Sequence, residues 1–182
     1  NLSLIISVFG VISVIYGALM TLRQTDLKRL VAFSSVSHMG YILIGLSAFS
    51  SSDLITQKLG LSGASLQMVS HGLITGLLFY LVGGIYEKCK TREVYELGGL
   101  SSNFKFSSVA LAISGMASLG LPGTSGFIGE FLILLGAFQK SFIVAAIASS
   151  GVIFSAAYML WLYKRVVFGN LINKDLLKMP DL

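Results

Sequence analysis

Three titratable side chains stand out because of where they sit: His38, His71 and Glu130 all lie within long apolar runs. A charge at the centre of a bilayer costs about 2.5–3.5 kcal/mol on insertion scales, so an acid kept at that depth points to proton or ion chemistry. Glu130 is the only one of the eight acidic residues so placed. Each histidine lies on a polar stripe at helical spacing. One stripe is Ser34, Ser37, His38 and Tyr41; the other is Gln67, His71 and Thr75, at i, i+4 and i+8. Imidazole exchanges its proton near pH 6.5, which suits a relay. The bland alternatives are a neutral acid bracing a kinked helix and hydrogen-bonded packing histidines. Two histidines and one glutamate on separate helices show no metal-ligand spacing. No nucleotide loop, nucleophile elbow or cysteine cluster is present, and the single cysteine, Cys89, reads as a bystander thiol.

The elements that position these groups follow from composition. Of 182 residues, 54% are hydrophobic and 12% charged, whereas soluble domains carry about 25% charged residues. Too little polar surface remains for an ordinary soluble domain, so lipid is the expected solvent. The expected fold class is all-α: a polytopic transmembrane helix bundle with one discontinuous helix. A span needs ~20 apolar residues, which gives five runs, at about 2–22, 30–49, 61–86, 106–138 and 142–167.

The fourth run is far longer than ~30 Å of hydrocarbon requires at 1.5 Å per residue. Its middle reads Gly120-Leu121-Pro122-Gly123-Thr124-Ser125-Gly126. Proline lacks an amide proton and glycine tolerates open backbone, so two half-helices broken near 120–126 are expected, with Pro122, Gly123 and Gly126 as the breaking residues. Broken helices sit at midplane ion sites in transporters; an inert proline kink is the alternative. Burial and the positive end of the second half-helix act on Glu130 in opposite senses, leaving it poised to load and unload a proton.

Charge supplies the orientation. Arg23, Lys28, Arg29, Lys88, Lys90, Arg92, Lys105, Lys164, Arg165, Lys174 and Lys178 fall on one side if the spans alternate, and only Lys58 and Lys140 on the other. The net charge of +5 therefore reads as a positive-inside signal, with the N-terminus outside and the C-terminus inside, and not as a nucleic-acid patch. Lys28, at the inner mouth of the second span, is an anchoring charge or, alternatively, a candidate gate. The start at Asn1 and the loop at the end suggest a piece of a longer or split subunit.

Three segments in order, QTDLKRLVAFSSVSHMGYILIG (24–45), QMVSHGLITGLLFYLVGGIYE (67–87) and GLPGTSGFIGEFLILLGAF (120–138), carry a family resemblance. Together they resemble the antiporter-like, proton-translocating membrane subunits of respiratory complex I, in particular the chain 4 branch. Chains of the 2 and 5 branches carry a lysine in the broken helix, where this sequence has Glu130. The resemblance covers nearly the whole sequence and implies a fourteen-helix fold with two inverted five-helix repeats, of which these spans would be the second. It implies that Glu130 is the outer-side proton residue and His71 part of a central hydrophilic axis. It also implies a part in NADH:ubiquinone oxidoreductase with no cofactor in this chain. NADH, FMN, iron–sulfur clusters and ubiquinone would belong to partner subunits. Expected partners are the other membrane-arm subunits, neighbouring antiporter-like chains, the missing N-terminal half and the lipid bilayer, with no nucleic acid. The expected location is the mitochondrial inner membrane, or a bacterial cytoplasmic membrane. A multi-subunit cation/proton antiporter and a non-conducting structural module are the rival readings.

Overall fold

The computed structural model describes residues 2–170 and 181. Among the described residues, six α-helices form the bundle: α1 (Leu2–Leu22), α2 (Leu27–Leu46), α3 (Leu54–Cys89), α4 (Lys105–Ser118), α5 (Ser125–Lys140) and α6 (Phe142–Leu162). A short 3₁₀ turn, Ser47–Ser50, continues α2, and a π turn, Tyr163–Val167, continues α6. Four of these stretches are long and apolar enough to cross a membrane. At 1.5 Å per residue, α4 and α5 reach only roughly 21 and 24 Å, so neither crosses ~30 Å of hydrocarbon alone. They share one crossing as the two halves of the discontinuous helix.

Two boundaries differ from the hydropathy reading. Helix α2 begins at Leu27, where Asp26 accepts the Arg29 amide at 2.9 Å, so Lys28 and Arg29 lie in its first turn. Helix α3 begins at Leu54, seven residues before the expected start, and is 36 residues long. Asp53 caps it by accepting the Ile55 and Thr56 amides and the Thr56 hydroxyl. Two of the polar residues that interrupted the apolar run also find partners outside this turn. The Gln57 amide donates to the Phe49 carbonyl, and the Thr56 hydroxyl reaches Gln139. Lys58 is thus on a helix, not in a loop.

The hydrogen bonds to Asp53 hold its carboxyl below the usual carboxylate range, the Thr56 hydroxyl contributing most. A depressed folded-state value stabilises above the unfolded value and is lost as pH falls through the folded one. Asp53→Asn should therefore weaken the first turn of α3 at neutral pH, and the deficit against the parent should close below about pH 4. Amide exchange of Ile55 and Thr56, followed from pH 7 to pH 3, checks this.

Packing is pairwise. Helix α1 lies along α2, and α3 along α5, so closely that backbones touch. A Cβ at Gly40 would sit 2.6 Å from the Gly10 carbonyl, and one at Gly136 would sit 2.9 Å from the Gly60 amide. In lipid, where helices gain little from excluding water, such small-residue seams are how helices associate. Two apolar clusters result. One gathers Leu30, Leu81, Ile85, Leu111 and Leu162 near the basic end; the other gathers Val14, Ile44, Ile133 and Ala148 toward the far end. At the basic end the 25–27 and 92–94 segments pair, through Leu27 N–H to the Arg92 carbonyl and Val94 N–H to the Thr25 carbonyl. Asp181 joins this end by accepting the Phe106 amide at the start of α4. Lys174 and Lys178 of the charge pattern, and Asn1, lie outside the described residues.

Candidate functional site

Between the two apolar clusters lies a buried polar layer to which α2, α3, α4 and α5 each contribute. Glu130, in the second turn of α5, is only 5% exposed. Its Oε1 accepts from Gln67 Nε2 at 3.2 Å and shares a hydrogen bond of 2.9 Å with His38 Nδ1. Its Oε2 points at the break, where a Cβ on Gly120 would come within 2.7 Å. His38 Nε2 lies 3.3 Å from the Ser118 hydroxyl, on the last residue of α4. The His38 ring is 5.3 Å, centroid to centroid, from that of His71. His71 in turn lies 3.3 Å from the Thr75 hydroxyl.

The break is a built turn. Gly120 and Gly123 adopt φ of +67° and +99°, a region closed to most side chains, and Pro122 stands between them. Leu119, Gly120 and Leu121 donate their amides back to Gly115, Ala117 and Met116. Thr124 closes the turn, its amide and hydroxyl both donating to the Leu121 carbonyl. The expectation for Gly126 is corrected: it lies inside α5, buried, where a Cβ would come within 2.4 Å of the Ala117 carbonyl. It is glycine because the two half-helices cross there, not because the chain opens there.

Chemically, His38 faces a hydroxyl on one nitrogen and a carboxyl on the other. An imidazole so placed takes a proton at Nε2 and releases one at Nδ1 by exchanging tautomers. An acid and an imidazole sharing one hydrogen bond can hold that proton on either side.

The profile of a family described as NADH:quinone oxidoreductase/Mrp antiporter, transmembrane, matches residues 1–155. The chain belongs to that family. Subunit M of the NADH-quinone oxidoreductase of Rhodobacter capsulatus is 46% identical over 175 residues, covering 96% of this chain and 33% of that protein. Chain 4 of the NADH-ubiquinone oxidoreductase of Marchantia polymorpha is 47% identical over 173 residues, covering 95% of this chain and 34% of that protein. The chain thus spans about a third of the relatives it matches. Among solved structures, a chain of respiratory complex I from Thermus thermophilus superposes with a TM-score of 0.89 at 32% identity, over 99% of this chain and 36% of that one. An Mrp complex chain from Dietzia has the same fold, with a TM-score of 0.84 at 24% identity, over 92% of this chain and 30% of that one.

Within this quinone oxidoreductase/Mrp fold the sequence-derived candidates do not all meet. Glu130 and His38 touch, and the His71 ring lies beside that of His38, tilted by 41°. Lys28 is exposed in the first turn of α2, ten residues from His38 or roughly 15 Å along the helix. It lines a separate cleft with Tyr86 and Arg92. The α2 stripe divides as well. Ser37 donates to the Val14 carbonyl and Tyr41 to the Ala148 carbonyl, so both tie helices together. Sequence reasoning missed Ser118 and Gly120 as contributors. Their one signal was position, at the last helical residue before the break and the first glycine within it.

Proposed function

We propose that this chain is a proton-translocating module of the membrane arm of NADH:quinone oxidoreductase. The observation that carries the reading is the buried Glu130 carboxyl, held between His38 and Gln67 beside a helix break. His71 hands protons toward His38, which passes them from Nδ1 to Oε1 of Glu130. Glu130 releases them toward the far end of α5, where Lys140 reaches Ser3 and Ser47. The basic end faces the matrix or cytoplasm, and Lys28 there serves as an anchoring charge or inner gate. NADH oxidation, with FMN, iron–sulfur clusters and ubiquinone, belongs to partner subunits, and the remainder of the fold comes from sequence beyond this chain. The host membrane is the mitochondrial inner membrane or the bacterial cytoplasmic membrane.

The Mrp antiporter reading shares the fold, but the relatives at 46% and 47% identity carry NADH oxidoreductase names. A pull-down through a tag on the full-length subunit, followed by reconstitution, decides between them. Flavin and iron–sulfur subunits should copurify, and NADH with quinone should drive uncoupler-sensitive proton movement. Copurification of antiporter subunits alone, with transport driven by a sodium gradient, would overturn the proposal.

A further inference from the structure

We propose that Gln67 is a positioning residue that distinguishes the loaded from the unloaded state of Glu130, turning its amide over when the proton arrives. The inference rests on the proton-transfer reading above and adds a step to it.

Gln67 is 3% exposed, on α3. Its Nε2 donates to Glu130 Oε1 at 3.2 Å, while its own Oε1 has no hydrogen-bond partner. Buried acceptors are nearly always paired, so a single orphan beside a titratable acid asks for a reason. The amide lies against Gly129, where a Cβ would come within 2.6 Å of Gln67 Oε1. Glycine at that position leaves the amide its room.

With His38 protonated on Nδ1, the arrangement suits an ionised carboxylate, which only accepts, with two N–H donors converging on one oxygen. Transfer from a doubly protonated His38 breaks its Nδ1–H bond and forms an Oε1–H bond on Glu130. His38 remains neutral, with its proton on Nε2 toward Ser118. The carboxyl is now a donor. A half-turn about Cγ–Cδ of Gln67 presents the amide oxygen to that O–H and draws the proton away from His38 Nδ1, while Nε2 takes the place that Oε1 leaves beside Gly129. The same side chain thus stabilises the carboxylate in one pose and opposes back-transfer in the other. Glutamine suits the role because its two ends have opposite hydrogen-bonding sense on one rigid plane.

The titratable groups facing Glu130 are His38 and Tyr41 on α2, His71 on α3 through His38, and Tyr158 on α6. The Tyr41 hydroxyl is engaged by the Ala148 carbonyl and that of Tyr158 by the Ser155 hydroxyl. Gln67 is therefore the neutral group in direct contact with the acid that can change sense.

The test is the pH profile of redox-driven proton translocation by the assembled complex in proteoliposomes. Gln67→Met keeps the bulk but removes both the donor to the carboxylate and the acceptor for the protonated acid; the charge-assisted bond is the stronger of the two, so the alkaline limb should move up by roughly half a pH unit. Gln67→Asn, an amide one methylene shorter, should return the limb part-way to the parent. An assembled Gln67→Met with the parental profile would overturn the inference. If that variant does not assemble, Gln67→Leu takes its place, and a parental profile there overturns the inference equally. Glu130→Gln in the same assay separates the two levels. If it pumps normally, the proton-transfer reading fails and Gln67 with it. If it is silent while Gln67→Met keeps the parental profile, only the role of Gln67 fails.

Discussion

Glu130→Gln is expected to lower proton translocation by about a hundredfold or more, with the complex still assembled. The amide keeps the shape of the acid, and its oxygen still accepts from His38 and Gln67, so the polar layer loses no packing. It has no proton to exchange in the working pH range. A charge moved across the membrane senses about 2.3 kcal/mol per 100 mV, and the group that carries it must hold an exchangeable proton. Glu130→Asp keeps the acid but draws it back by one methylene, beyond the 2.9 Å contact with His38. It should retain part of the activity. The proton-to-electron ratio in proteoliposomes checks both, and a normal ratio in the Gln variant would make the glutamate structural.

Gly120→Ala should be nearly as damaging, whereas Pro122→Ala should be mild. Alanine at Gly120 must adopt a φ of +67°, a left-handed conformation costing roughly 1–2 kcal/mol. Its methyl would also stand 2.7 Å from Glu130 Oε2. The carboxyl must move, and its hydrogen bond to His38 lengthens or breaks. Pro122→Ala restores one amide but leaves both left-handed glycines and the Thr124 closure in place. No continuous helix follows, and translocation should fall by less than twofold. Assembly on native gels beside translocation rates distinguishes loss of the site from loss of the fold. Normal pumping by Gly120→Ala would show that the turn does not position the acid.

The spans and the break were legible because apolar length and a proline flanked by glycines are local signals. Boundaries at polar residues were not. The first turn of α3 reads as loop because Thr56, Gln57 and Lys58 interrupt the hydropathy, and only Asp53 and the neighbouring Phe49 and Gln139 make it helix. The three titratable residues were found from depth. Their pairing was not, since His38 and Glu130 are 92 residues apart and a helical stripe shows a face without naming what it faces. Gly126 illustrates the same gap: glycine for an open backbone and glycine for a close crossing look identical in sequence.

The two glycine seams bear on mechanics. Each makes a stiff pair, α1 with α2 and α3 with α5, because touching backbones leave no compliant side chains between them. His38 rides on the first pair; Glu130 and Gln67 ride on the second. The two pairs meet where a Cβ at Gly45 of α2 would stand 2.8 Å from the Gly60 carbonyl of α3, so they are pinned there and cannot slide freely. The contact of 2.9 Å between His38 and Glu130 lies about two helical turns along α2 from that pivot. A small tilt about the pivot would lengthen it and act as a switch in series with the proton path, while the bond between Gln67 and Glu130 stays closed.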